Sequence, residues 1–187
     1  MRNYLRKLYF SCIAILLAFL PHTIFASPYY GAQFSYAAMA KEPEFLRGYQ
    51  VLVNYDPQTL QWRKFNLYFD AGYSRLWVTN PAQHSALNIY SISPVIRYEF
   101  KKRGPFVPYL ELSIGFSWLS NTRFDDRNFG IHFAFQDRFG FGAYVGSKQQ
   151  LSLGIHVVHY SNAHLSAYNS GITIPLMLDI GYRFSLC

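Results

Sequence analysis

The sequence predicts an all-β protein, an eight-stranded antiparallel transmembrane β-barrel of the outer membrane, and three observations carry that expectation. The chain opens on a secretory leader, "MRNYLRKLYFSCIAILLAFLPHTIFAS". After it, no apolar run is long enough for a spanning helix, although 19% of the residues are aromatic and only 14% charged. The remainder breaks into eight segments of roughly ten residues with apolar side chains on one parity, the length a tilted strand needs to cross a bilayer.

The leader pairs Arg2, Arg6 and Lys7 with an apolar run from Leu8 to Leu20, then Pro21 and the small residues Ala26 and Ser27. That run is short for a membrane span and fits a signal peptide cleaved after Ala26. Residues 1–26 are therefore expected to be signal and residues 27–187 the barrel domain. Cys12 leaves with the signal, so Cys187 remains alone and no intrachain disulfide or cysteine metal site can form. Removing the three signal cations from the formal charge of +7 leaves +4, too mild and too scattered for nucleic acid.

The predicted strands run over 29–39, 45–55, 62–78, 87–100, a fifth through Tyr109–Trp118, 130–146, 149–161 and a last one in "GITIPLMLDIGYRF". In that last segment Ile172, Ile174, Leu176, Leu178, Ile180, Tyr182 and Phe184 alternate with Thr173, Pro175, Met177, Asp179, Gly181 and Arg183. The opposite parity of the set holds Lys64, Asp70, Arg97, Glu99, Glu111, Asp179 and Arg183, charges suited to pairing in a narrow lumen. The apolar parity is therefore expected to face lipid, which disfavours a lipocalin-like barrel with a greasy interior. Eight strands also leave an interior just filled by side chains, which disfavours a pore. An even strand number puts both termini in the periplasm, with "DPQTLQ", "KKRGP" and "SKQ" as short periplasmic turns and the longer connections facing outward.

Strand seven breaks its own pattern. In "QLSLGIHVVHYSNA" the lipid-side row Leu151, Leu153, Ile155, Val157 continues as His159 and Ser161. Residues two apart on a strand point the same way, about 6.5 to 7 Å apart. An imidazole can reach a hydroxyl over that span, and a serine needs such a base to attack an ester. At the outer end of a lipid-facing strand, the substrate would be a membrane lipid. If the turn before this strand centres on Lys148, Asp137 of strand six sits opposite His159 and can orient its ring as the acid of a triad does. The plainer readings are polar residues placed near headgroups, an Asp137 paired with Arg138 or with an interfacial lysine, a packed interior His156 and a loop His164. Arg123 and Arg127 suit lipid phosphates or simple solvation.

The stretch "HYSNAHLSAYNSGI", with "FDAGYSRLW", "PVIRYEF", "SNTRFDDRNFG" and "FAFQDRFGFG" in the same order, resembles the PagL-type lipid A 3-O-deacylases. That resemblance implies an eight-stranded barrel that hydrolyses the 3-position acyl ester of lipid A on its outer wall. It makes Ser161 the nucleophile and His159 the base. Asn162 and Asn169 become candidates for oxyanion or loop-positioning roles, and Phe135 and Asp137 match the family's Phe-x-Asp, with Phe135 at the substrate. Where the family has the glutamate of its triad, this chain has Thr173; Asp179 is six residues further on, roughly 20 Å by strand rise. Three outcomes stay open: Asp137 serves as the acid, a Ser-His dyad works slowly, or the barrel only binds lipopolysaccharide and supports the envelope. The expected partner is lipid A or lipopolysaccharide of the outer leaflet, with a homodimer as an open option. No nucleic acid, cofactor or metal is implied.

Overall fold

A computed structural model describes residues 27–40, 43, 45–79 and 85–186; the expected signal peptide, Cys12 and Cys187 lie outside them. Eight long strands form one closed antiparallel barrel. They are β1 (Tyr29–Met39), β2 (Leu46–Asp56), β3 (Phe65–Val78), β4 (Ala86–Glu99), β5 (Phe106–Leu119), β6 (Phe133–Val145), β7 (Leu151–Ser161) and β8 (Ile172–Ser185). Each pairs with its neighbour in sequence, and β1 pairs with β8 to close the ring. The expected strands are all present. The third begins at Phe65 because Gln61–Trp62 folds back on it as a separate two-residue strand, through Arg63 at φ 58°.

The outer wall is apolar: Val53, Ile92 and Ile114 are 58%, 59% and 60% exposed, a surface that only hydrocarbon suits. Aromatic rings flank it, with Tyr49, Tyr73, Trp77 and Tyr90 in ring contact at the end with the longer connections and Phe65, Tyr98 and Phe100 at the end with the short turns. Inside, Arg97 pairs with Glu111 at 2.8 Å, Arg138 bonds Asp70, and His156 Nδ1 meets Asp179 Oδ2 at 2.8 Å. The expected interior charges are thus in the lumen, except Lys64. Its position in the turn before β3 leaves it exposed, with the ammonium 5.7 Å from the centre of the Tyr98 ring.

Two features depart from the parity reading. The loop end of the lumen is filled by an apolar cluster that includes Leu76, Leu87, Ile89, Phe124, Phe129 and Met177. Phe124 and Phe129 come from the connection after β5, which forms a small hairpin of Arg123–Phe124 and Arg127–Asn128 rather than an open loop. The second departure is in β8. His156 pairs with Met177 but Val158 pairs with Ile174, so two residues of β8, Pro175 and Leu176, stand against one of β7. Proline has no N–H for the ladder, and a bulge there absorbs it. Side-chain parity flips across the bulge: Ile172 and Ile174, expected on the lipid side, are buried in the lumen, and Thr173 turns outward.

Candidate active site

β7 sends His156, Val158 and Tyr160 into the lumen and leaves His159 and Ser161 on the outer wall, half-buried. Tyr160 anchors the segment from inside, its hydroxyl 3.3 Å from Ser74 Oγ and 3.4 Å from Gln50 Nε2. On one side the neighbour of His159 is Asp137 of β6, in the register expected from the turn at Lys148. On the other it is Thr173 of β8. Three side chains therefore stand in a row across β6, β7 and β8, all facing outward.

Within that row the hydrogen bond goes to the threonine: His159 Nδ1 lies 2.8 Å from Thr173 Oγ1. Nε2 is left for other work. The edge of the ring that carries it faces Gly171, where a Cβ would stand 2.9 Å from Cε1 and 3.3 Å from Nε2. Only glycine leaves room for this imidazole. Among the described residues the carboxylate of Asp137 has no hydrogen-bond partner. It does not pair with Arg138, because consecutive strand residues point to opposite faces and Arg138 is in the lumen with Asp70. The hydroxyl of Ser161 is likewise unbonded, and the ring of His159 does not reach it in this state. Phe135 is the cross-strand neighbour of Ser161 and packs its ring against Phe116 and Phe133 at 5.9 and 5.0 Å.

The loop after β7 separates the two asparagines. Asn162 is fully buried, and its Nδ2 donates to Phe129 O at 2.5 Å and Tyr168 O at 2.7 Å. Its Oδ1 accepts from the N–H of His164 at 2.9 Å. Both amide protons are spent, so this side chain holds the loop. The backbone N–H of Asn162 donates to Asn169 Oδ1 at 2.8 Å, which leaves Asn169 Nδ2 with one long contact, 3.5 Å to His164 Nδ1. Ala163 and His164 both take positive φ, 50° and 62°. In this turn the N–H of His164 is taken by Asn162 Oδ1 and that of Leu165 by Asn162 O, which leaves the N–H of Ala163 without a described acceptor.

Of the residues singled out from the sequence, the fold gathers Phe135, Asp137, His159, Ser161 and Thr173 on one patch of wall, with Asn162 and Asn169 directly above. Gly171 was overlooked as a neighbour of the imidazole, and only the bulge could have signalled it. The outward turn of Thr173 was missed for the same reason.

Comparisons with known proteins bear on the family and the fold. Residues 47–183 match the family profile described as "Lipid A 3-O-deacylase (PagL)". The chain is 37% identical over 105 residues to the lipid A deacylase PagL of Pseudomonas aeruginosa, covering 56% of this chain and 58% of that one. It is 28% identical over 142 residues to the lipid A deacylase PagL of Bordetella bronchiseptica, covering 72% and 76%. The crystal structure of the outer membrane enzyme PagL superposes with a TM-score of 0.63 at 26% identity, over 86% of this chain and 100% of that one. Neisserial surface protein A, at 16% identity and a TM-score of 0.55 over 86% and 98%, shares the fold alone. With the match extending over most of the barrel, the chain belongs to the lipid A 3-O-deacylase (PagL) family.

Proposed function

We propose that this chain is an outer-membrane serine esterase that removes the ester-linked acyl chain at the 3-position of lipid A. The observation that carries the reading is the outward row of Asp137, His159 and Thr173, with Ser161 one outward position further along β7. A base and a hydroxyl on the lipid-facing wall meet a substrate that is itself part of the membrane. The loop end of the barrel faces the cell exterior and both termini the periplasm, which sets the site in the outer leaflet.

Ser161 Oγ attacks the ester carbonyl while His159 Nε2 takes its proton, after a rotamer change that brings ring and hydroxyl into contact. Thr173 accepts the Nδ1 proton and holds the ring in the tautomer that leaves Nε2 free. Asp137 supplies the negative charge nearest the imidazolium, since directly paired residues have Cβ atoms about 4.5 to 5.5 Å apart. The tetrahedral oxyanion is met by the backbone N–H of Ala163 and by Asn169 Nδ2, the amides of Asn162, His164 and Leu165 and the Asn162 side chain being occupied. The imidazolium then protonates the departing sugar hydroxyl, and water, activated by the same base, releases the fatty acid from Ser161. Phe135 packs against the acyl chain.

The test is mass spectrometry of lipid A from cells that express the protein or its Ser161→Ala variant, with insertion of both barrels verified. Loss of one 3-hydroxyacyl mass that requires Ser161 supports the esterase. Unchanged lipid A with the intact serine supports the rival reading, a noncatalytic barrel that binds lipopolysaccharide, which the unmade His159–Ser161 contact favours.

A further inference from the structure

On the far wall from His159, two arginines point outward into what should be hydrocarbon. β3 is four strands from β7 in either direction around the ring. It carries Arg75, exposed, with Tyr73 and Trp77 two residues to either side on the same face. β2 carries Arg47, also exposed, paired with Trp77, while Arg75 pairs with Tyr49. Arg47 and Arg75 are therefore diagonal neighbours, within reach of one shared ligand. Neither forms a salt bridge with a described carboxylate. Arg75 makes one neutral contact, Nη1 to Asn88 Oδ1 at 3.4 Å, on an oxygen that already accepts from Tyr73 OH at 2.8 Å.

A cation on the lipid face is costly at mid-depth and tolerable near the interface. These two lie within the aromatic belt, the level of lipid headgroups. Tyr73 lies next below Arg75, its ring against Tyr49 and Tyr90, and one outward position further down the small Ala71 leaves a shallow trough between Val53 and Ile92, its cross-strand neighbours. A forked pair of guanidinium groups over an apolar trough matches a phosphate over acyl chains, and arginine binds phosphate in a bidentate manner.

We infer that Arg47 and Arg75 form a second, noncatalytic lipid site on β2 and β3, which holds the phosphate of a phosphorylated glycolipid of the outer leaflet. The inference rests on the outer-membrane placement proposed above but not on catalysis. The barrel would thus sit between a substrate lipid on β6–β8 and a resident lipid on the far wall.

The experiment uses the mature barrel with Ser161→Ala, so that substrate is not consumed, refolded in detergent and titrated with bisphosphorylated lipid A under native mass spectrometry. The parent is expected to bind two lipids. Adding Arg47→Gln and Arg75→Gln should remove one, weakening it at least about tenfold, and leave the other within about twofold, because sites a barrel's width apart act independently. Equal binding by parent and double variant overturns the site. So does a parent whose second position fills as readily with phosphatidylglycerol as with lipid A. Heat-modifiable migration on gels confirms folding, and Arg75→Gln alone carries the same reading should the double variant not refold. Because deacylation is read separately, from cellular lipid A with Ser161 intact, failure here and failure of the esterase reading are distinguishable.

Discussion

His159 Nδ1 and Thr173 Oγ1 lie 2.8 Å apart across the β7–β8 ladder, so the ring nitrogen that a triad acid would hold is held by a neutral hydroxyl. A hydroxyl fixes the tautomer as a carboxylate does, but it brings no charge to the imidazolium of the proposed mechanism. In the proposed mechanism, orientation and charge stabilisation, combined in one acid elsewhere, are split between Thr173 and Asp137.

Removing the hydroxyl tests the first half. A neutral hydrogen bond contributes about 0.5 to 1.5 kcal/mol, so Thr173→Val should slow deacylation roughly 2- to 10-fold with the barrel intact. Thr173→Glu should do the reverse. An orienting acid is worth up to about 10⁴ in turnover, and part of that, at least about tenfold, should appear. Rates from purified barrel in mixed micelles across the neutral range decide it. A Glu variant no faster than the parent would mean that the threonine is only structural.

Asp137 tests the second half. Its carboxylate has no hydrogen bond to any described residue, so Asp137→Asn removes charge without removing a structural contact. Turnover should fall about 10- to 100-fold, with substrate affinity and melting temperature little changed, the size expected for charge next to a proton-transfer group. The measurement is kcat against KM for the two proteins. An unchanged kcat would leave the imidazolium without help from β6.

How far the site was legible follows from where the pleat is regular. His159, Ser161 and Asp137 lie on strands that alternate without interruption, and the short turn at Lys148 sets their register; the sequence reading placed all three correctly on the outer wall. Thr173 could not be placed that way. It lies beyond the bulge at Pro175, and the run Ile172, Ile174, Leu176, Leu178 looks like one uninterrupted face although its first two members are inside the barrel. The apolar loop end of the lumen hid this, because the isoleucines were equally at home on either side. The same holds for Phe124 and Phe129, which read as part of a polar loop and are fully buried. Charge in the lumen was legible because Asp70, Arg97 and Glu111 have no other place to go.

Gly171 makes the next prediction. A methyl group there would meet the backbone oxygen of Tyr160 and the Cε1 of His159, each at 2.9 Å, and the side chain is the softer of the two. Gly171→Ala should therefore push the imidazole aside and leave the ladder intact. A displacement of about 1 Å at a catalytic group can cost roughly 100-fold, and that loss is expected in kcat/KM without a shift in melting temperature. A destabilised barrel with activity in proportion to its folded fraction would show instead that Gly171 serves the turn rather than the ring.

Arg138 concerns the frame beneath the site. It follows Asp137 in sequence yet points into the lumen, 1% exposed, where it bonds Asp70 and comes within 4.0 Å of Glu111. Arg97 also neutralises Glu111, at 2.8 Å, so Asp70 is the carboxylate that depends on Arg138. Replacing Arg138 by leucine leaves Asp70 buried with, among the described residues, only Asn54 Nδ2, at 2.5 Å, as a side-chain donor. Breaking a buried pair from one side typically costs about 3 to 5 kcal/mol, whereas replacing both partners with apolar residues is often close to neutral. Arg138→Leu should accordingly lower the urea midpoint of the bilayer-reconstituted barrel by far more than Arg138→Leu combined with Asp70→Leu. If the double variant is as unstable as the single one, the lumen is held by the packing of the arginine stem rather than by its charge.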